Sequence, residues 1–139
     1  MFKRILFAHN ATPAAERALI YLEHLAKVEE AEVIVLHVYE SPDRYVATQG
    51  YQTLVEMMES VAQEVVQDTV EYLGEAGVSA VGRIEAGTPA RIILDIAQEE
   101  GVSLIVLGTR GPSKVSDILL GDVSTEVLRG ARCPVFLVP

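Results

Sequence analysis

The stretch Leu104-Ile-Val-Leu-Gly-Thr-Arg-Gly-Pro-Ser-Lys-Val-Ser-Asp-Ile-Leu-Leu-Gly-Asp-Val-Ser-Thr-Glu-Val-Leu128 decides the fold, because its hydrophobic period changes partway along. Ser103 to Leu107 ends in an apolar run of strand length. Gly108 and Gly111 follow at G-x-x-G spacing, and Gly121 precedes a helical pattern from about Val123 to Arg129. A strand, a glycine loop and a helix start make a place for phosphate. Glycine lets the backbone take positive φ and lets a ligand come close, while the first helical turn aims unpaired N–H groups at an anion. Asp122 opposes this reading, since it puts a carboxylate beside the turn that would hold the anion.

Downstream, Cys133-Pro134 leads into Val135-Phe-Leu-Val138, a last strand. Upstream, Gly87-Thr-Pro-Ala90 pairs a capping residue with proline, and Ala90, Ile93, Leu94 and Ala97 recur at helical steps as far as Gly101. Val78 to Glu85 reads as a strand weakened by Gly82. From Thr53 to about Ala76, Leu54, Met58, Val61, Val65, Tyr72 and Leu73 predict the buried face of a helix, with an acidic opposite face and Met57-Met58 in a core or seam role. Tyr39 to Gln52 reads as the longest loop. Glu32 to Val38 is a strand apolar on both faces. Before it, Arg4 to His9 is a strand, and Thr12-Pro13 opens a helix whose buried face carries Ala15, Ala18, Leu19, Leu22, Leu25 and Ala26. Five strands alternating with four helices predict an α/β fold: one open, five-stranded parallel sheet with helices on both faces, Rossmann-like, in a single domain over residues 1–139. Such sheets bind ligands beyond the carboxyl ends of their strands, where the strand order reverses.

The chain has 139 residues, and 11 Lys and Arg stand against 20 Asp and Glu, a formal charge of −9. That field repels nucleic acid and anionic membrane, so neither is expected as a partner. The start, Met1 to His9, has too short an apolar run for a signal core or a span, which predicts a cytoplasmic protein. Cys133 is the single cysteine and reads as an inert, buried thiol. His9, His24 and His37 share no metal-ligand spacing, and no metal site is expected. No nucleophile and base pair stands out, and no H-E-x-x-H, C-x-x-C, G-x-S-x-G or Walker motif occurs, so no catalytic residue is assigned and no enzymatic activity beyond slow incidental ATP hydrolysis is expected.

Taken together, β-strand-Asn10-Ala-Thr-Pro13, the His37-Val38 strand end, Gly87-Thr-Pro-Ala90, Gly108-x2-Gly111-x9-Gly121 and the helix running into Cys133-Pro-Val135 make the chain resemble the universal stress protein family from end to end. The resemblance implies an adenine-nucleotide-hydrolase-like α/β fold, a homodimer paired through Val135 to Val138, and a role in stress tolerance instead of a defined reaction. Some members of the family bind ATP and others do not. By position, it implies adenosine contacts from Ala8, Asn10, Val38, Leu107 and Gly108, and phosphate contacts from Gly111, Gly121, Asp122, Val123 and Ser124.

Two departures bear on this. Asn10-Ala11-Thr12 replaces the family's usual Asp-Gly-Ser, and Asp122 replaces the Ser or Thr that usually follows the third glycine. Asp122 is expected to act as an N-cap, taking the N–H groups that would otherwise meet a phosphate. A like charge at about 4 Å costs roughly 1 to 4 kcal/mol between the dielectrics of water and a protein surface. That is about one to three decades of affinity. Mg²⁺ bridging Asp122 to a phosphate would reverse the sign, and Arg110 and Lys114 offset part of the charge, with Asp117 cancelling some of it. Two readings stand: a stress-response module that binds ATP or AMP weakly, with Mg²⁺ accompanying ATP, or a dimeric interaction protein of the same fold that binds no nucleotide and engages an unidentified protein partner.

Overall fold

The structure, a computed structural model, describes residues 1–109, 111–112, 118–119 and 121–139. Arg110, Lys114 and Asp117 lie outside the described residues. Strand β1 (Arg4–Ala8) leads to α1 (Pro13–Glu29), β2 (Glu32–Tyr39), a short 3-10 turn (Asp43–Tyr45), α2 (Tyr51–Glu75), β3 (Ser79–Ala86), α3 (Pro89–Glu99) and β4 (Leu104–Gly108). The two-residue strands β5 (Gly111–Pro112) and β6 (Ile118–Leu119) follow, then α4 (Asp122–Gly130) and β7 (Val135–Val138). The main sheet has five strands in the order β3-β2-β1-β4-β7, all parallel. This is the predicted open sheet, with its order reversing between β1 and β4.

Alternate residues of the central strands serve two cores. Ile5, Phe7, Val33, Val35, Leu104 and Val106 meet Ala18 and Leu22 of α1 and Val66 and Leu73 of α2 on one face. Leu6, Ile34, Leu36, Ile105 and Leu107 meet Ile93 and Ile96 of α3 and Val127 of α4 on the other. Burial on both faces explains why these strands read as unbroken apolar runs.

Local chemistry sets the α1 boundaries. Thr12 Oγ1 accepts the Ala15 N–H at 3.3 Å, Pro13 occupies the first turn, and Glu30 ends the helix in the left-handed region at φ 52°. At the second Thr-Pro pair the device is only half repeated: Thr88 is the N-cap of α3 in extended backbone, but its hydroxyl makes no capping bond.

Four expectations are corrected by packing. The glycine region is not wholly loop, because Gly111–Pro112 pairs antiparallel with Ile118–Leu119. The long loop is shorter at both ends, since Tyr39 completes β2 and Tyr51 begins α2, with the 3-10 turn between. The buried face of α2 is Ala62, Val66, Thr69 and Leu73, whereas Leu54 and Val61 are exposed and Met57 is 62% exposed. Only the C-terminal part of this long helix covers the sheet, so the apolar residues of its first turns have no strand beneath them. Gly82 does not interrupt β3, which pairs with β2 along its full length. A Cβ there would lie 2.3 Å from Val66 Cγ1, and the glycine is what seats α2 on the strand.

Candidate functional site

Beyond the carboxyl ends of β1 and β4 lies a cavity of about 460 Å³, roughly the size of a small-ligand pocket. Ala8, Leu36, Val38, Ile93 and Leu107 form its apolar side. Asn10, Thr12, Thr109 and Ser124 add polar groups, and Glu40 and Asp122 add carboxylates. No Lys or Arg lines it among the described residues. Of the residues predicted for this site, Ala8, Asn10, Val38, Leu107, Gly108, Gly121, Asp122, Val123 and Ser124 are brought together around it, and the backbone of Gly111 pairs with Leu119.

The site depends on close backbone contact at Gly108. A Cβ there would stand 2.5 Å from Ala14 C and 2.6 Å from Ala15 N, so only glycine lets the start of α1 sit against the end of β4. The β1–α1 wall is then built by side chains bonding to their own loop. Asn10 Oδ1 accepts the Thr12 hydroxyl at 2.6 Å and the Thr12 N–H at 3.3 Å. Ala11 adopts φ 63°, the left-handed conformation that glycine would take at no cost. The change from Asp-Gly-Ser to Asn-Ala-Thr therefore keeps an acceptor for Thr12 and removes a negative charge from the loop.

At the opposite wall, Gly121 is the N-cap of α4, and its carbonyl accepts the Thr125 N–H at 3.0 Å. Asp122 is the first helical residue and forms no side-chain cap, which corrects the expectation that its carboxylate would occupy the anion's place. The helix begins one residue earlier than predicted, and a side chain at that first position leans outward from the N–H groups it would have to reach. The N–H groups of Asp122, Val123 and Ser124 precede the first intrahelical donor and remain available, beside an exposed carboxylate.

His9 and His37 are both buried. His37 Nδ1–H donates to the His9 carbonyl at 2.7 Å. His9 Nδ1 accepts the Ala11 N–H at 3.0 Å, and Nε2–H donates to Glu16 Oε1 at 3.1 Å. Among the described residues no group of three or more His, Cys, Asp or Glu side chains is placed to hold a metal. Among the described residues no helix is long and apolar enough to cross a membrane. Cys133 is half-buried, and desolvation pushes its thiol above the ordinary range.

Sequence reasoning missed His9, Thr12, Leu36, Glu40, Pro89, Ile93 and Thr109 as lining residues. His9 and Glu40 each follow a strand end by one residue, and Pro89 opens α3, so the signal was their position beyond the sheet's carboxyl edge.

The fold has close counterparts. A universal stress protein of Bacillus subtilis is 34% identical over 149 residues, covering 99% of both chains. The solved structure of MJ0577, a universal stress protein of Methanocaldococcus jannaschii, superposes with a TM-score of 0.88 at 29% identity, covering 99% of this chain and 96% of that one. A universal stress protein of Archaeoglobus fulgidus solved in complex with dAMP shares the fold at a TM-score of 0.72 and 21% identity, covering 100% of this chain and 98% of that one. The sequence profile of the universal stress protein family matches residues 1–139. The chain belongs to the universal stress protein family.

Proposed function

We propose that this cytoplasmic stress-response module binds an adenine nucleotide with few phosphates, an AMP-type ligand, in the cavity between β1 and β4. The observation that carries the reading is the pairing of three available N–H groups at the start of α4 with two carboxylates, Glu40 and Asp122, in one cavity without a described cation. One phosphate can meet the N–H groups, whereas a triphosphate adds charge against the carboxylates. The dAMP complex of the Archaeoglobus fulgidus protein, which shares the fold, has the same ligand class. Asp122 also fits Mg²⁺, which takes one or two carboxylates together with ligand phosphates. Binding without catalysis is favoured because both ring nitrogens of His9 are engaged, leaving this lining imidazole no free base.

Calorimetric titration with adenosine, AMP and ATP, each with and without Mg²⁺, tests the reading. AMP is expected to bind more tightly than metal-free ATP, and Mg²⁺ to narrow the gap. Absence of binding by all three at millimolar concentration would sink it and favour the interaction-protein reading.

The proposal includes a homodimer through β7. Among the described residues this strand pairs only with β4, leaving its outer edge unpaired, and Phe136 packs against the exposed Tyr21 with ring centroids 5.9 Å apart. Ile105 N–H donates to the Pro134 carbonyl and Thr109 N–H to that of Val138, so the two-residue period points the Leu137 N–H outward. Leu137→Pro removes that outward donor while sparing the ladder to β4. The wild-type chain is expected at twice its 15.1 kDa mass in solution and the variant at the single mass. A wild-type mass of one chain at every concentration would overturn the dimer.

A further inference from the structure

We propose that His9 is a positioning residue that holds the β1–α1 wall of the cavity only while its ring is neutral, so that acidification releases this wall and weakens ligand binding. The effect on binding rests on the nucleotide reading above; the effect on the loop does not.

The geometry is specific. Ala11 sits in the left-handed region at φ 63°, a conformation that costs a non-glycine residue roughly 1–2 kcal/mol. Its N–H donates to His9 Nδ1, which is therefore the ring's unprotonated nitrogen, while Nε2–H faces Glu16. A second proton can enter only at Nδ1, where it would point at the Ala11 N–H and turn an acceptor into an opposing donor. The bond supporting the strained residue is then lost, and Asn10 and Thr12, both lining the cavity, flank that residue.

The surroundings of the ring disfavour its charged form. His9 is 2% exposed, so a charged ring cannot be hydrated in place. Glu16 from α1 favours the charge and His37 from β2 opposes it, while Phe7 of β1 packs with its ring centroid 5.3 Å away. Glu40 and Asp122 are the other charged groups described around the same cavity. Burial, the largest influence, holds His9 below the ordinary histidine value, with Glu16 opposing it. The folded chain thus binds this proton less readily than the unfolded chain. Stability from the neutral ring is present above the ordinary value of about 6.5 and is lost as pH falls below it.

The test follows the imidazole nitrogens of His9 and the backbone amide of Ala11 by NMR in the ligand-free chain from about pH 7.5 down to 5. The Ala11 amide is expected to shift with the His9 titration and to exchange with solvent about tenfold faster, after correction for intrinsic pH dependence, once the ring is charged. His9→Asn places an amide oxygen near the Nδ1 position, and it should keep the Ala11 amide protected throughout the range. His9→Gln retains a group toward Glu16 but not toward Ala11, and it should leave that amide unprotected at every pH. Adenosine, which has no phosphate to titrate, should bind the wild type about tenfold more weakly at the acid end. Protonation of His9 with the Ala11 amide unchanged would overturn the inference, as would a ring that stays neutral until the protein unfolds. The wild-type titration decides the matter even if neither variant folds. If adenosine and AMP fail to bind while the amide behaves as expected, the nucleotide reading fails and the positioning role stands.

Discussion

Gly108→Ala is expected to destabilise the protein by about 3 kcal/mol, a fall in Tm of roughly 10 °C for a chain of this size, and to abolish binding in the cavity. The added Cβ meets Ala14 C, Ala15 N and Ala14 O at 2.5 to 2.7 Å. These are backbone atoms of the first turn of α1, which Thr12 and Pro13 hold in place, so no side-chain rotation relieves the clash. Either α1 lifts from β4, opening the core around Ala18 and Leu22, or the end of β4 moves and takes Leu107 and Thr109 out of the cavity wall. Gly74→Ala is the control: nothing lies within 4 Å of its added Cβ, and in a helix the substitution should stabilise by about 0.5–1 kcal/mol. Urea denaturation of both variants reads the difference. Wild-type stability for Gly108→Ala would mean that α1 is not seated on β4 as described.

Asp122→Ser should strengthen ATP binding at least tenfold without Mg²⁺ and AMP binding by less, because the substitution removes a like charge from the side that receives phosphate. The gain is expected although Asp122 is not the cap of α4. Its carboxylate is exposed and bonds to none of the helix N–H groups, so a ligand need not displace it and meets only its field. That field is screened by salt, and the advantage of the serine variant should shrink as ionic strength rises. The same carboxylate favours the positive end of α4, so the variant should lose a few tenths of a kcal/mol of stability. With Mg²⁺ present the gain in ATP affinity should narrow, since the wild-type residue can then bridge to the metal. Calorimetry at low and high salt checks all of these outcomes. An unchanged ATP affinity would move the obstacle to Glu40, the other described carboxylate of the cavity.

Much of this was legible before any coordinates. The apolar runs at Ile5–Ala8, Glu32–Val38 and Leu104–Leu107 identified strands, the second of them covered on both faces, and Thr12-Pro13 located the start of α1 because capping is a local event. The glycine spacing located the end of the sheet where the cavity lies. What periodicity could not resolve was which of two overlapping stripes on α2 faces inward. Val65 and Val66 both fit a helical repeat, and contact with Gly82 on β3 selects Val66.

The site divides in the same way. Gly108 and Gly121 could be picked from the chain because glycine at such a turn has few alternative explanations. His9 and Glu40 could not, since nothing local distinguishes a histidine after a strand from any other. The sequence by itself determined the alternation of strands and helices, the parallel sheet, and the edge of that sheet where a ligand would lie, since each follows from short-range pattern and chain connectivity. Only the tertiary structure decided that Asp122 lies in the helix and does not cap it, that Ala11 takes a left-handed conformation, and that His9 supports it. Those outcomes depend on where carbonyls, N–H groups and ring nitrogens from separate segments meet, and hydrogen-bond geometry of that kind exists only once the sheet and helices have packed.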